Sequence, residues 1–335
     1  MDTLIPDALL PLIFVGLMGA AMLAYVILDG FDLGVGALVA LADDADKDVM
    51  IASIGPFWDA NETWLVLGVG ILLIAFPQAH GVILTALYLP VAVMLIGLVL
   101  RGVAFDFRAK AHASHKTLWN RVFVSGSIIT ALAQGYMLGS YITGFRDGVM
   151  ATAFAALIAL GLLAGYALLG ATWLILKTEG ELKSRAVRWA RWALWLCGLG
   201  IVAVSLATPL ISERIYAKWF ALPNLYWLLP VPLASALVFA WCERTLRRLH
   251  HHRGYGSWQP FAATVSLFML AFAGLGYSLF PYLVADRITY TQAASAPASL
   301  RFILVGVAIT LPVIIAYTVY AYRVFWGKAG ELRYE

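Results

Sequence analysis

Nine stretches of about 20 predominantly apolar residues dominate this sequence, and that repetition leaves few folds open. They lie roughly at 8–41 (interrupted by charge), 57–76, 81–100, 119–142, 150–176, 191–210, 225–241, 260–284 and 300–326. Each is long enough to cross a bilayer as a helix, and a lipid-spanning backbone must satisfy its polar groups internally. Hydrophobic residues make up 62% of the 335 and charged residues 13%, against about 25% charged in a soluble domain. Too little polar surface exists to cover a water-facing globule. The expected fold is all-α, a polytopic membrane protein with nine transmembrane helices forming a single integral-membrane domain over 1–335. Proline-bounded breaks at Phe76-Pro77 and Phe280-Pro281 fall where helices should end. The seventh stretch is the shortest and begins among Pro223, Pro230 and Pro232.

Lysine and arginine placement orients the chain. With an external N-terminus, 18 of the 23 basic residues fall inside: Lys47, clusters at 101–121, 177–191 and 244–253, and the C-terminal end. The five outside are Arg146, Arg214, Lys218, Arg287 and Arg301. The opposite orientation reverses this ratio against the positive-inside rule, so the N-terminus is expected in the periplasm and the C-terminus in the cytoplasm. The net charge of +4 therefore reflects membrane orientation and not nucleic-acid binding. Asp2 and Asp7, with no nearby lysine or arginine, also argue against a removable signal at the N-terminus.

Acids within apolar spans cost about 2.5–3.5 kcal/mol each to insert and are functional candidates by default. Three motifs carry them: LDGFDLGVG with Asp29 and Asp32, FWDANETWL with Asp59 and Glu62, and RGVAFDFR with Asp106 between Arg101 and Arg108. Asp29 sits in the inner half of span 1, Asp59 and Glu62 open span 2 from the inside, and Asp106 follows the exit of span 3. Together they form a candidate proton relay opening on the cytoplasm. Blander readings stand beside it. Asp106 can pair with Arg101 or Arg108 as a structural ion pair, Asp59 and Glu62 can be stabilised by a helix dipole, and Asp32 can cap or bend helix 1. Gly30-x-x-x-Gly34 and Gly161-x-x-x-Gly165 read as close helix packing.

A b-type haem needs axial ligands at membrane depth. The six histidines (His80, His112, His115, and His250 to His252) all fall in expected connections; a methionine such as Met137 could serve as one axial ligand, though such a residue is more often packing. The chain is thus expected to hold no haem and no metal. The His250–His252 run, flanked by Arg247, Arg248 and Arg253, reads as a basic patch against anionic lipid headgroups. Cys197 and Cys242 read as small core residues. Aromatics such as Trp189, Trp192, Trp219, Tyr226 and Trp227 cluster at span ends as interfacial anchors.

The acid motifs, taken in combination, resemble the signature stretches of subunit II of cytochrome bd-type quinol oxidases. GATWLILKTEGEL (170–182), LFPYLV (279–284) and PVIIAYTVYAYRVFWGK (312–328) resemble later stretches of that family, so the likeness runs from span 1 to span 9. The compact connections, notably between spans 6 and 7, are more like the cyanide-insensitive branch. The resemblance implies two four-helix bundles and one peripheral helix, paired with a subunit I that holds two b haems, haem d and the quinol-oxidising site. It implies a complex that oxidises quinol and reduces oxygen to water in the bacterial inner membrane, taking protons from the cytoplasm without pumping them. Quinol, membrane lipids (with quinone or lipid bound to this chain) and a small single-span subunit are the further partners it brings, with no nucleic acid among them. By the same resemblance Asp59 lies on a proton route toward the haem site, with Asp29 and Asp106 near it and Trp58, Asn61, Glu62, Arg101 and Arg108 supporting it. Trp64 matches a tryptophan near a lateral oxygen entrance. Two departures from the enterobacterial pattern are Ala60, where glycine is usual, and Glu62, where an amide is found.

Two other classes fit the apolar pattern. One is a secondary transporter built around an interrupted first helix and its acids, although such proteins break a matching helix in each half and these acids crowd one end of the chain. The other is a scaffold in which arginines satisfy every acid.

Overall fold

The computed structural model describes residues 5–110, 112–251 and 256–329. Among them nine helices are long and apolar enough to cross a membrane, matching the nine expected stretches in number and order. They are α1 (Leu10–Leu38), α3 (Trp58–Ala75), α4 (Pro77–Lys110), α5 (Ala113–Ile142), α6 (Val149–Lys177), α7 (Gly180–Ile211), α10 (Pro230–His251), α11 (Gln259–Leu279) and α13 (Pro297–Val324). Shorter helices fill the connections: α2 (Asp44–Ala52), α8 (Glu213–Phe220), α9 (Asn224–Leu228) and α12 (Tyr290–Ala293).

Local chemistry sets the boundaries. α3 stops at Ala75 and α4 starts on Pro77, because proline lacks the amide a continuing helix needs but suits a first helical position. α6 and α7 are joined by a sharp reversal at Thr178–Gly180, where Gly180 takes φ +63°, a conformation glycine adopts without a Cβ clash. The span read at 260–284 ends at Leu279. Tyr282–Val284 (β1) instead pairs antiparallel with Ile288–Thr289 (β2) in a small hairpin. Alternation was absent from that stretch, so its apolar residues read as a helix extension.

α1, α3, α4 and α5 pack as one bundle and α6, α7, α10 and α11 as a second, joined where α6 packs against both α1 and α5, with α13 lying outside against α3. Among the residues of α13 whose burial is described, only Leu300, Val307 and Ala321 are buried, which makes it the peripheral helix. The α1–α6 contact depends on Gly34, one of the glycines singled out in the sequence, and on Gly170. A Cβ on Gly34 would lie 1.7 Å from the Tyr166 carbonyl oxygen, and one on Gly170 would lie 2.3 Å from the Val35 nitrogen. Gly165 packs against Phe268 and Gly161 against Gly200, so these spacings serve close approach of helices.

One end of the bundle is basic; here α1 finishes and α3 begins. At this end Arg185 of α7 pairs with Asp43 and Asp46 around α2, and Arg108 of α4 pairs with Asp48. Lys177, at the last turn of α6, donates to the carbonyls of Phe325, Trp326 and Gly327 at 2.6, 3.2 and 3.1 Å. Lys328 returns the contact on Leu176 O and Thr178 O at 2.9 and 3.2 Å. At the opposite end Arg301 pairs with Asp7 and Tyr141 donates to Leu283 O. There Arg214 pairs with Asp286, while α8 docks through Lys218 on Tyr277 O.

Candidate functional site: a buried acid–arginine cluster

α1 passes through Asp29-Gly30-Phe31-Asp32 without a break and continues to Leu38. That continuity removes the interrupted helix on which the transporter reading rested. Both aspartates are fully buried. Asp29 lies nine residues, or about 14 Å of helix rise, before the end of α1. Its partner is Arg101, whose NH1 donates to Asp29 Oδ1 at 2.8 Å and whose NH2 donates to Glu62 Oε1 at 2.6 Å. The side chains of Asp29 and Arg101 are 1% and 2% exposed, while that of Glu62 is 31% exposed. Trp58 covers the guanidinium, with its ring centroid 5.8 Å from Cζ, a cation–π contact.

Asp32 is held differently. Asn61 Nδ2 donates to Asp32 Oδ2 at 2.8 Å and to Leu28 O at 3.2 Å, and its Oδ1 accepts from the Tyr322 hydroxyl at 3.0 Å. The peripheral helix α13 thus reaches the acids through Tyr322. An aromatic group of Phe31, Phe57, Trp173 and Tyr322 packs beside them, Phe31 stacking on Trp173 at 4.2 Å and Phe57 lying 4.6 Å from Tyr322. Toward the membrane centre, Tyr25 stands one turn before Asp29. Gln134 Nε2 donates to the Tyr25 hydroxyl and the Tyr166 hydroxyl donates to Gln134 Oε1, each at 2.6 Å. Asp29 Oδ2 and Asp32 Oδ1 are buried without a hydrogen-bond partner among the described residues.

Five of the expected site residues meet here: Asp29, Trp58, Asn61, Glu62 and Arg101. Arg101 corrects the sequence reading, which put it in a connection; α4 runs on to Lys110, so Arg101 lies inside the helix and neutralises α1. Arg108, seven residues on and roughly 20° from it around the helix, is buried against Asn120 and Asp48. Asp106 falls roughly 140° away from Arg101 by the same rotation and is exposed. The expected pairing of Asp106 with Arg101 or Arg108 is not made; among the described residues those arginines take other acids. Asp59, in the first turn of α3, is exposed as well. The scaffold reading fails at these two acids. Trp64 is 9% exposed beside Ala21 and Tyr25, its indole N–H without a partner among the described residues.

Residues missed by sequence reasoning are Tyr25, Gln134, Tyr166 and Tyr322. Gln134 carried the clearest available signal, an amide within an otherwise apolar run. The histidines need a second correction. α4 and α5 begin earlier than expected, so His80 and His115 sit in terminal turns of spanning helices, and His250 and His251 close α10. His252 and Arg253 lie outside the described residues. Among the described residues no group of three or more histidine, cysteine or acidic side chains is arranged to hold a metal ion.

Residues 10–325 match the family model for cytochrome bd terminal oxidase subunit II. The chain belongs to that family. It is 25% identical over 334 residues to cytochrome bd ubiquinol oxidase subunit 2 of Bacillus subtilis (strain 168), covering 94% of this chain and 95% of that one. It is 31% identical over 186 residues to cytochrome bd-I ubiquinol oxidase subunit 2 of Escherichia coli (strain K12), about half of each chain. The solved structure of bd oxidase from Geobacillus thermodenitrificans shares the fold, with a TM-score of 0.75 over 95% of this chain and 99% of that one at 18% identity. A subunit II is by definition one part of a quinol oxidase complex, with subunit I as its partner. Nine apolar helices and these relatives make the chain a multi-pass protein of the bacterial inner membrane.

Proposed function

We propose that this chain is the haem-free subunit of its oxidase, supporting assembly of subunit I and carrying cytoplasmic protons toward the haem site there. One observation carries the reading: the Asp29–Arg101–Glu62 cluster is buried at the same end of the bundle where Asp59 and Asp106 stand exposed. Burying carboxyls with one guanidinium among them is costly for assembly alone, and clustered intramembrane acids are suited to holding and passing protons. The basic character of this end supports its placement in the cytoplasm, with the N-terminus in the periplasm. Arg101 lies inside α4 and leaves that asymmetry intact.

Among the described residues histidines stand at helix ends, with none in the middle of a span, which supports assigning both b haems and haem d to subunit I. The oxygen-entrance role is carried to Trp64 by the family resemblance, on the face of α3 packed against Ala21 and Tyr25, and the compact α7–α10 connection suits the cyanide-insensitive branch. Quinol, lipids and a small single-span subunit complete the proposed assembly, with residues 1–335 as a single integral-membrane domain. Asp59→Asn tests the proton role: oxygen consumption by the copurified complex should fall with its haem spectrum intact. Loss of all haem marks the residue as structural, and unchanged turnover removes it from any relay.

A further inference from the structure

We propose that Glu62, and not Asp29, is the group in this cluster that loads and releases the transferred proton, with Arg101 as the fixed charge that balances it. The inference rests on the proton-delivery reading and names the residue at which delivery passes through the cluster.

Charge count comes first. Asp29, Asp32 and Glu62 face a single guanidinium, and a second buried carboxylate without a cation of its own is strongly disfavoured. The cluster therefore reaches neutrality only when it holds protons. The three acids differ in access. Asp29 is sealed at 1% exposure, with Arg101 against one oxygen. Asp32 is 0% exposed, hydrogen-bonded to the neutral amide of Asn61. Glu62 is 31% exposed and is the acid of the three with a route to the surface.

Geometry then makes Glu62 the point of exchange. Glu62 Oε1 lies 2.6 Å from Arg101 NH2, while NH1 stays on Asp29, so protonating Glu62 leaves the arginine paired. Asp59 stands three residues earlier on α3, on a neighbouring helical position, and is exposed; a proton arriving there has Glu62 one turn away. The charged groups facing Glu62 are Arg101 of α4, Asp29 and Asp32 of α1, and Asp59 of its own helix. Loading is the binding of one proton to a Glu62 carboxylate oxygen. Release hands it to an acceptor on the way to subunit I, with no electron moved and no bond between heavy atoms formed or broken.

The test uses the intact complex carrying Glu62→Gln, Glu62→Asp or Asp29→Asn. It measures oxygen consumption against pH, together with redox-difference infrared spectra in light and heavy water. Glutamine keeps a carbonyl for Arg101, so the fold should survive. E62Q should slow turnover by roughly tenfold or more, the scale of a positioned proton-transfer group. It should also flatten the pH dependence and delete a carboxyl band that shifts in heavy water, leaving the haem spectrum unchanged. E62D should restore part of the rate with the band displaced. If E62Q keeps the parental pH profile and band while D29N loses both, Asp29 is the loading group and the inference is overturned, with proton delivery intact. Parental turnover and pH profile in both variants overturn the delivery reading together with the inference.

Discussion

Replacing Arg101 by methionine isolates the electrostatic core of the bundle. Methionine keeps the unbranched stem, so the change removes two charge-assisted hydrogen bonds, to Asp29 at 2.8 Å and Glu62 at 2.6 Å, and little volume. Breaking a buried pair by removing one partner costs about 3–5 kcal/mol, because the other charge is stranded. Asp29, 1% exposed with a second oxygen already lacking a partner, is such a charge. Glu62 contributes less, since its partial exposure lets water replace the guanidinium. The expectation is therefore a loss near the middle of that range, carried mostly by Asp29. Denaturation midpoints of detergent-solubilised complex, with the yield of subunit I copurified, measure it. The charge argument also fixes the sign of a second change: Arg101→Met with Asp29→Asn should be more stable than Arg101→Met alone. A single variant as stable as the parent, or a double variant no better than the single one, refutes the reasoning.

Other positions give independent expectations. Gly34→Ala should abolish assembly or cost more than the roughly 1–3 kcal/mol typical of overpacking, since its methyl meets the Tyr166 backbone and not a movable side chain; complex yield reads it. Lys177→Met removes three bonds to the end of α13, a cation at a helix C-terminus worth up to about 2 kcal/mol. It should raise hydrogen exchange at Phe325–Gly327 while the haem spectrum stays constant. Asp44→Ala, breaking an exposed pair with Lys47, should leave the denaturation midpoint unchanged within error, because solvent screens an exposed pair.

The spanning architecture was legible because lipid imposes length and apolarity on every crossing helix, and nine stretches answered to nine helices. The acids were legible for the same reason: charge is conspicuous in such a background. Their partners were not. Arg101 looked like a loop residue because hydropathy falls before α4 ends, and only the 3.6-residue period over the full helix puts Arg101 and Arg108 on one face with Asp106 on another. Tyr322 and Gln134 act from helices distant in sequence, so no local pattern announces their bonds to Asn61 and Tyr25. The hairpin at β1 and β2 was hidden within an apolar run continuous with α11.

Proton uptake in a single turnover is the most direct measurement of what this subunit contributes. Complex carrying Glu62→Gln, fully reduced and mixed with oxygen beside a pH indicator, should bind oxygen and show its haem spectrum as the parent does. Its proton uptake from the cytoplasmic side should be slowed by roughly tenfold or more. Uptake at the parental rate both in that variant and in Asp29→Asn would contradict a proton-carrying role for the buried cluster.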